Sequence, residues 1–149
     1  MPHEVLVDSN VLIDVLEPDQ SWKAWSSAQV AALVNRAVLI INPIIYSEVS
    51  IAFDTLEALE EVLPDDLFRR DALPWEAAFL AGKCFVRYRR SGGKRTSPLP
   101  DFYVGAHAAV RGMTLLTRDA RRYRTYFPRL PLIAPASATS SPKAKSSAN

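Results

Sequence analysis

The chain has 149 residues, of which 48% are hydrophobic and 23% are charged, the balance of one ordinary globular domain. No apolar run approaches the length of a membrane span and no basic, apolar leader opens the chain, so we expect a cytoplasmic protein. The single cysteine, Cys84, excludes an intrachain disulfide and a cysteine-rich zinc site.

Charge is distributed unevenly along the chain, although the net charge is only +2. Residues 1–76 contain 14 acidic and 4 basic residues, whereas residues 77–149 contain 14 basic and 2 acidic residues. A basic half in which arginine predominates favours an anionic partner, most often a nucleic acid, over an ordinary solvated surface. The two acidic residues left in that half, Asp101 and Asp119, therefore need a specific explanation.

A strand, a turn and a helix are predicted at the start of the chain. Residues 5–7 form a short apolar run, typical of a buried strand, which ends at Asp8. Ser9 and Asn10 are favourable helix N-caps, and a new apolar pattern follows them. Asp8 thus lies at the carboxyl end of a strand, the edge at which parallel α/β sheets bind ligands. Taken alone, this residue could simply cap the helix.

The next part of the chain repeats the pattern of strand and helix. A helix predicted at residues 21–35 leads to a second buried-strand run at residues 38–41, after which Asn42-Pro43 is typical of a helix start. Glu48 shares the apolar face of that helix, which makes it a site candidate, although a boundary residue that reaches solvent would share this pattern. Residues 54–63 predict a short amphipathic helix.

Basic residues cluster in the second half of the chain. Residues 67–70 are too polar for a central strand and predict an edge strand, and residues 75–90 predict a long helix. The glycine-rich basic loop 91–97 lacks the spacing of a P-loop, so we expect a flexible loop that contacts phosphates. The candidate phosphate ligands in this loop, at the end of the helix and after Asp119 are Arg87, Arg89, Arg90, Lys94, Arg95, Arg121, Arg122 and Arg124.

The two acids of the basic half lie next to predicted elements. Asp101 falls in the first turn of a helix that is predicted to end near residue 111, where the helix dipole would in any case favour an anion. Residues 114–117 predict a strand, and Arg118-Asp119 follows at its carboxyl end. Asp119 therefore repeats the position of Asp8.

Alternating strands and helices predict a three-layer α/β/α sandwich with a mostly parallel sheet of about five strands. A last strand is predicted at residues 132–134, which gives one domain at residues 1–134. From residue 135 to residue 149 the chain is rich in Ser, Ala, Pro and Lys and has no apolar period, so we expect a disordered tail.

Four carboxylates are expected at one edge of this sheet: Asp8, Glu48, Asp101 and Asp119. Ionised carboxylates at close range repel one another, so such a cluster needs cations. Sites built only from oxygen ligands suit Mg²⁺ or Mn²⁺. With a basic surface that holds a phosphodiester, this arrangement would serve metal-assisted hydrolysis of nucleic acid.

The sequence resembles the PIN-domain ribonucleases, and among them the VapC-type toxins of bacterial toxin–antitoxin pairs. The resemblance covers roughly residues 4–134 and rests on four segments: residues 7–14, with the sequence VDSNVLID; residues 46–49, with YSEV; residues 101–108, with DFYVGAHA; and residues 115–119, with LLTRD. It implies the acidic quartet named above, supported by Asn10 and Thr117, with Ser9 where the family often has threonine.

The resemblance also implies an activity and partners. They are metal-dependent cleavage of RNA, inhibition by a cognate antitoxin, and a homodimer, for which the helix at residues 22–33 is the candidate contact. Two alternatives remain open. One is a non-catalytic nucleic-acid-binding module with the same fold. The other is an Asp-dependent phosphotransfer domain, which would need a second Asp where this chain has Asn10 and a lysine after a late strand.

Overall fold

The computed structural model describes residues 3–136 of the chain. Within these residues a five-stranded sheet has the order β3-β2-β1-β4-β5, and every neighbouring pair is parallel. The strands are β1 (His3–Val7), β2 (Ala37–Ile41), β3 (Phe68–Arg70), β4 (Thr114–Leu116) and β5 (Leu132–Ile133). The predicted α/β/α fold is confirmed, including the edge position of β3. Most of the predicted tail, residues 137–149, lies outside the described residues.

Seven helices connect and flank the strands in the described part of the chain. Each strand-to-strand connection carries at least one helix, as parallel pairing requires. The helices are α1 (Ser9–Leu16), α2 (Lys23–Leu33), α3 (Pro43–Ser50), α4 (Leu56–Val62), α5 (Trp75–Arg90), α6 (Pro100–Arg111) and α7 (Arg121–Tyr126). None of them is long and apolar enough to cross a membrane.

The three central strands supply the middle of the hydrophobic core. The last residues of β1 and β2, and all of β4, are buried on both faces of the sheet, which explains why their sequences are continuous apolar runs. Val7 pairs with Leu116 in the register of β1 and β4, and the backbone N–H of Asp8 donates to the carbonyl of Leu116 at 2.9 Å. The carboxyl ends of these two strands therefore lie side by side.

Two helix starts show how local sequence positions the elements. Asn42 caps α3, since its side chain accepts from the N–H of Ile45 at 2.9 Å, and Pro43 occupies the first turn as predicted. The N-cap of α1, however, is Asp8 and not Ser9 or Asn10. Asp8 therefore does cap α1, as the simpler interpretation of this residue held, but capping uses only one of its two carboxylate oxygens.

Helix α7 was not predicted from the sequence. It has six residues, three of them arginine, and only Tyr123 is buried. One buried side chain makes no apolar repeat, so the hydrophobic periodicity of the sequence could not reveal this helix. The helix matters because it packs on α6 and brings Tyr123 toward the carboxyl ends of β1 and β4.

Candidate functional site

Asp8 lies at the centre of a hydrogen-bonded group at the carboxyl edge of the sheet. Asp8 is 3% exposed, and its Oδ1 accepts from the N–H of Ser9 at 2.8 Å. Oδ2 accepts from the hydroxyl of Thr117 at 2.9 Å and from that of Tyr123 at 2.8 Å. One oxygen therefore caps α1, and the other is held by donors from the turn after β4 and from α7.

The environment of Asp8 disfavours its ionised form. Burial, and to a smaller extent the negative charges of Asp101 and Glu48, raise the pKa of Asp8 to about 7, although the donors Tyr123 and Thr117 oppose the shift. Burial likewise raises the pKa of Glu48, with a further contribution from Asp101. A cation bound among these carboxylates would offset the charge repulsion that contributes to the pKa shifts of Asp8 and Glu48.

Asp101 and Glu48 join this group from neighbouring helices. Asp101, in the first turn of α6, accepts from the hydroxyl of Tyr123 at 3.3 Å through Oδ1 and from Arg122 Nη1 at 3.3 Å through Oδ2. Glu48, on α3, accepts from the hydroxyl of Ser9 at 2.9 Å. The structure thus brings three of the four predicted acids into electrostatic contact.

Asp119 occupies a different environment from the other three acids. Its side chain is 57% exposed, and the nearest cationic group is Arg121, with 4.0 Å between Nε and Oδ1. It nevertheless lines the same cavity as Asp101, at the rim of the cluster. Within residues 3–136, no three His, Cys, Asp or Glu side chains stand in an arrangement that could hold a metal ion as they are.

The donor set still fits a hard divalent cation. Asp8, Glu48 and Asp101 offer carboxylate oxygens, the ligands that Mg²⁺ and Mn²⁺ take, and burial together with the charges of neighbouring acids raises the pKa values of Asp8 and Glu48. The Asp119 carboxylate is exposed and its closest cationic group is Arg121 at 4.0 Å, so a change of its side-chain rotamer would break no hydrogen bond of the core.

The predicted supporting residues Thr117 and Asn10 are joined to Asp8 through one hydroxyl. The hydroxyl of Thr117 donates to Asp8 and accepts from Asn10 Nδ2 at 3.2 Å and from the backbone N–H of Asp119 at 3.2 Å. Asn10 in turn accepts from the backbone N–H of Arg118 at 3.3 Å. One hydroxyl therefore connects α1, Asp8 and the turn that carries Asp119.

A buried ion pair that the sequence did not reveal holds the same turn. The side chain of Asp14 is 1% exposed, and its Oδ2 accepts from Arg118 Nε at 2.8 Å and from the hydroxyl of Ser26 at 2.7 Å. Asn10 and Asp14 are four residues apart on α1, so they lie on one face and both contact Arg118. That spacing was the available signal, but it becomes informative only once the position of Arg118 is known.

Tyr123 also contacts the acidic cluster, although the sequence did not single it out. Its hydroxyl reaches both Asp8 and Asp101, and burial together with these two negative charges raises the pKa of Tyr123 above its ordinary value. The hydroxyl therefore keeps its proton and remains a donor to the carboxylates. No sequence signal distinguished it from the tyrosine at position 126.

The eight predicted phosphate ligands are all exposed, yet several have structural contacts. Arg89 donates to the carbonyl of Arg95 at 2.8 Å and so holds the basic loop, residues 91–97, in place. The guanidinium of Arg87 lies 5.1 Å from the ring centroid of Tyr126. Arg121 and Arg122 lie beside Asp119 and Asp101, so they border the acidic cluster directly.

Comparison with known proteins is consistent with this architecture. The family model described as PIN domain matches residues 5–128. Among solved structures, the chain is similar to VapBC2 from Rickettsia felis bound to a DNA fragment from their promoter, with a TM-score of 0.67 and 15% identity over 88% of this chain and 98% of that one.

Two further structures have the same fold. FitAcB from Neisseria gonorrhoeae matches with a TM-score of 0.63 and 19% identity, over 87% of this chain and 96% of that one. A toxin-antitoxin complex from Klebsiella pneumoniae matches with a TM-score of 0.63 and 17% identity, over 87% of this chain and 95% of that one. No curated protein matches the chain in sequence.

Proposed function

The chain belongs to the PIN domain family, and from this premise we propose that it is a metal-dependent endoribonuclease toxin that hydrolyses RNA and is inhibited by an antitoxin. The observation that carries the proposal is the group formed by Asp8, Glu48 and Asp101 at the ligand-binding edge of a parallel sheet, where burial and the neighbouring charges raise the pKa of Asp8. The phosphotransfer alternative would need a second Asp where this chain has Asn10, and a purely binding module would not need these carboxylates to be held together.

Asp8, Glu48, Asp101 and Asp119 would hold the cation, Mg²⁺ or Mn²⁺. When bound, such a cation lowers the pKa of a water molecule and neutralises the charge that develops on the phosphate and leaving oxygens. The protein's own contribution is to keep the carboxylates oriented. Thr117 and Tyr123 fix Oδ2 of Asp8, and Ser9 fixes Glu48.

Neither histidine of the chain stands among these acids. His107 is fully buried and its Nδ1 contacts the side chain of Asn42 at 2.9 Å, whereas His3 contacts Thr114 at the opposite end of β4. No imidazole is therefore placed to activate a ribose 2′-hydroxyl. We propose attack by water, which leaves a 5′-phosphate and a 3′-hydroxyl.

The basic residues around the cluster would hold the RNA backbone. Their exposure and their position on α5, the basic loop and α7 favour contacts with phosphates. We assign this role to Arg87, Arg89, Arg90, Lys94, Arg95, Arg121, Arg122 and Arg124. Arg121 and Arg122 stand nearest to the proposed catalytic acids.

An antitoxin is the proposed regulatory partner, supported by the likeness to the Klebsiella pneumoniae toxin-antitoxin complex. The contact of Arg122 with Asp101 demonstrates that a guanidinium fits against the acidic cluster. An arginine of the antitoxin could bind there in the same way and compete with the metal. We also propose a homodimer through the region of α2, which light scattering at high protein concentration would test.

The experiment is cleavage of defined RNAs by purified protein with Mg²⁺ or Mn²⁺, with excess EDTA, and with the Asp8→Asn variant. Cleavage should require the metal and the ionisable Asp8, and the products should carry 5′-phosphates. Cleavage that survives EDTA, or products that end in a 2′,3′-cyclic phosphate, would contradict the mechanism. RNA binding without any cleavage would support the non-catalytic alternative.

A further inference from the structure

A cavity of about 500 Å³ lies beside the acidic cluster, between α5 and α7. Asp101 and Asp119 line it together with two arginines, Arg121 and Arg122, and two aromatic residues, Tyr88 and Tyr126. Carboxylates, guanidinium groups and aromatic rings therefore face one space. The proposed cleavage reaction assigns roles to the charged residues but none to the two rings.

Both rings are fixed in place. The ring of Tyr88 packs directly on the backbone of Gly93, where a Cβ would lie 2.3 Å from it, and its hydroxyl accepts from the N–H of Arg95 at 3.3 Å. The ring of Tyr126 meets that of Phe102 edge to face, with 4.9 Å between centroids. The cavity is thus bordered by preorganised aromatic surfaces, one of which is joined to the basic loop.

The size and the chemistry of the cavity match a single nucleotide. Small-ligand pockets have volumes of roughly 300–1,000 Å³, and this cavity lies within that range. Aromatic rings contact nucleobases favourably regardless of sequence, and guanidinium groups bind phosphate. A base inside a duplex is paired and stacked, so it cannot reach such rings without leaving the helix.

We propose that this cavity binds one unpaired nucleotide of the RNA, with Tyr88 and Tyr126 against the base and Arg121 and Arg122 against its phosphate. The inference rests on the proposed function, since it takes RNA as the substrate, and it adds which side chains of this chain receive a base and its phosphate. The adjoining phosphodiester then lies beside Asp101 and Asp119. A structured RNA would be recognised at a loop or an end.

Binding in the absence of cleavage tests the cavity separately from the nuclease. The Asp8→Asn protein in EDTA would be titrated with a fluorescently labelled single-stranded RNA and with the same strand in a duplex. Adding Tyr126→Leu should weaken binding of the single strand by roughly tenfold and leave the duplex little changed. Tyr126→Phe, which keeps the ring, should retain the preference for the single strand.

A matched control uses Tyr46, which lines a separate cavity of about 480 Å³ that contains none of the four acids. Tyr46→Leu should leave the ratio of single-strand to duplex affinity as it is. Thermal unfolding of each variant would establish that it is folded. The proposal is overturned if Tyr126→Leu and Tyr126→Phe bind the single strand equally well, or if Tyr126→Leu weakens both RNAs to the same extent.

A second measurement needs no variant at the cavity. Photo-crosslinking of a thiouridine-labelled single strand to the Asp8→Asn protein, followed by mass spectrometry, should identify Tyr88 or Tyr126. Crosslinks confined to other parts of the surface would refute the cavity. If the wild type cleaves RNA but Tyr126→Leu does not change RNA binding, the cavity proposal fails and the nuclease proposal is kept. If nothing is cleaved but binding depends on Tyr126, only the nuclease proposal fails.

Discussion

The hydroxyl of Tyr123 lies 2.8 Å from Oδ2 of Asp8, so α7 supplies a buried donor to the carboxylate that ends the central strand. The hydroxyl oxygen of Tyr123 also lies 3.3 Å from Oδ1 of Asp101. Because a hydroxyl has one proton, it can donate to only one of the two carboxylates at a time. Tyr123 therefore stabilises a single negative charge within a group of several.

Replacing Tyr123 with phenylalanine should keep the packing of the ring and remove this donor. The loss of a hydrogen bond to a charged group costs about 1.5–3 kcal/mol, so the metal-free variant should unfold more easily in urea at pH 8. The pKa of Asp8 should rise further, since the hydrogen bond from Tyr123 lowers it. Carboxyl NMR titration in EDTA would measure this shift, and an unchanged pKa would contradict the assigned role.

Asp8 should make the metal-free protein less stable as the pH rises. Its pKa is about 7 in the folded state against 3.8 for the free group, so the folded state binds the proton more tightly. The stability it contributes is complete below about pH 4 and is lost as the pH rises through about 7. That loss is on the order of 4 kcal/mol.

The Asp8→Asn variant should remove this dependence. In EDTA, its melting temperature should exceed that of the wild type at pH 8 and change less between pH 5 and pH 8. The amide keeps an oxygen for the N–H of Ser9, so the start of α1 should remain intact. If the melting temperatures of the two proteins changed with pH in parallel, the pH dependence of stability would not come from Asp8.

The buried pair Asp14–Arg118 should respond asymmetrically to mutation. Arg118→Met leaves a carboxylate that is 1% exposed without its cation, a change that costs roughly 3–5 kcal/mol. Asp14→Asn leaves a guanidinium that is 30% exposed and can be solvated, so its cost should be smaller. Urea denaturation of both single variants and of the double variant measures the coupling. Equal losses from the two single changes would argue against the pair.

Two glycines of neighbouring segments should show opposite effects when replaced by alanine. A Cβ at Gly93 would lie 2.3 Å from the ring of Tyr88, so Gly93→Ala must displace the basic loop or the ring. A Cβ at Gly82, within α5, meets nothing within 4 Å. Gly82→Ala should stabilise the protein by about 0.5–1 kcal/mol, whereas Gly93→Ala should destabilise it. Chemical denaturation compares them directly.

Salt dependence should identify which arginines bind phosphates. Within residues 3–136 neither Arg90 nor Arg124 forms an ion pair, so their charges are available to RNA. Arg124→Gln should reduce the slope of log affinity against log salt by about 0.7 for a single strand. Arg36→Gln, a change in the acidic half, serves as the control. An identical slope for Arg124→Gln and the wild type would remove Arg124 from the interface.

Much of the fold was accessible from sequence because the central strands are continuous apolar runs followed by recognisable helix starts. The positions of Asp8, Asn42 and Thr117 relative to those strands then followed from topology. Tyr123 was not accessible, because α7 is short and lacks an apolar repeat. The burial of Asp14 depends on Arg118, which lies over one hundred positions away, so no local pattern could reveal it.

The pairing of β1 with β4 also determines how much of the chain must be synthesised before the acidic cluster can form. Asp8 is synthesised early, but its backbone partner Leu116 and its donors Thr117 and Tyr123 follow more than one hundred residues later. A nascent chain that does not yet contain these residues lacks the contacts that hold Asp8 in place. The proposed activity therefore requires synthesis of the chain through α7, because Asp8 lacks its side-chain donors until Thr117 and Tyr123 are in place.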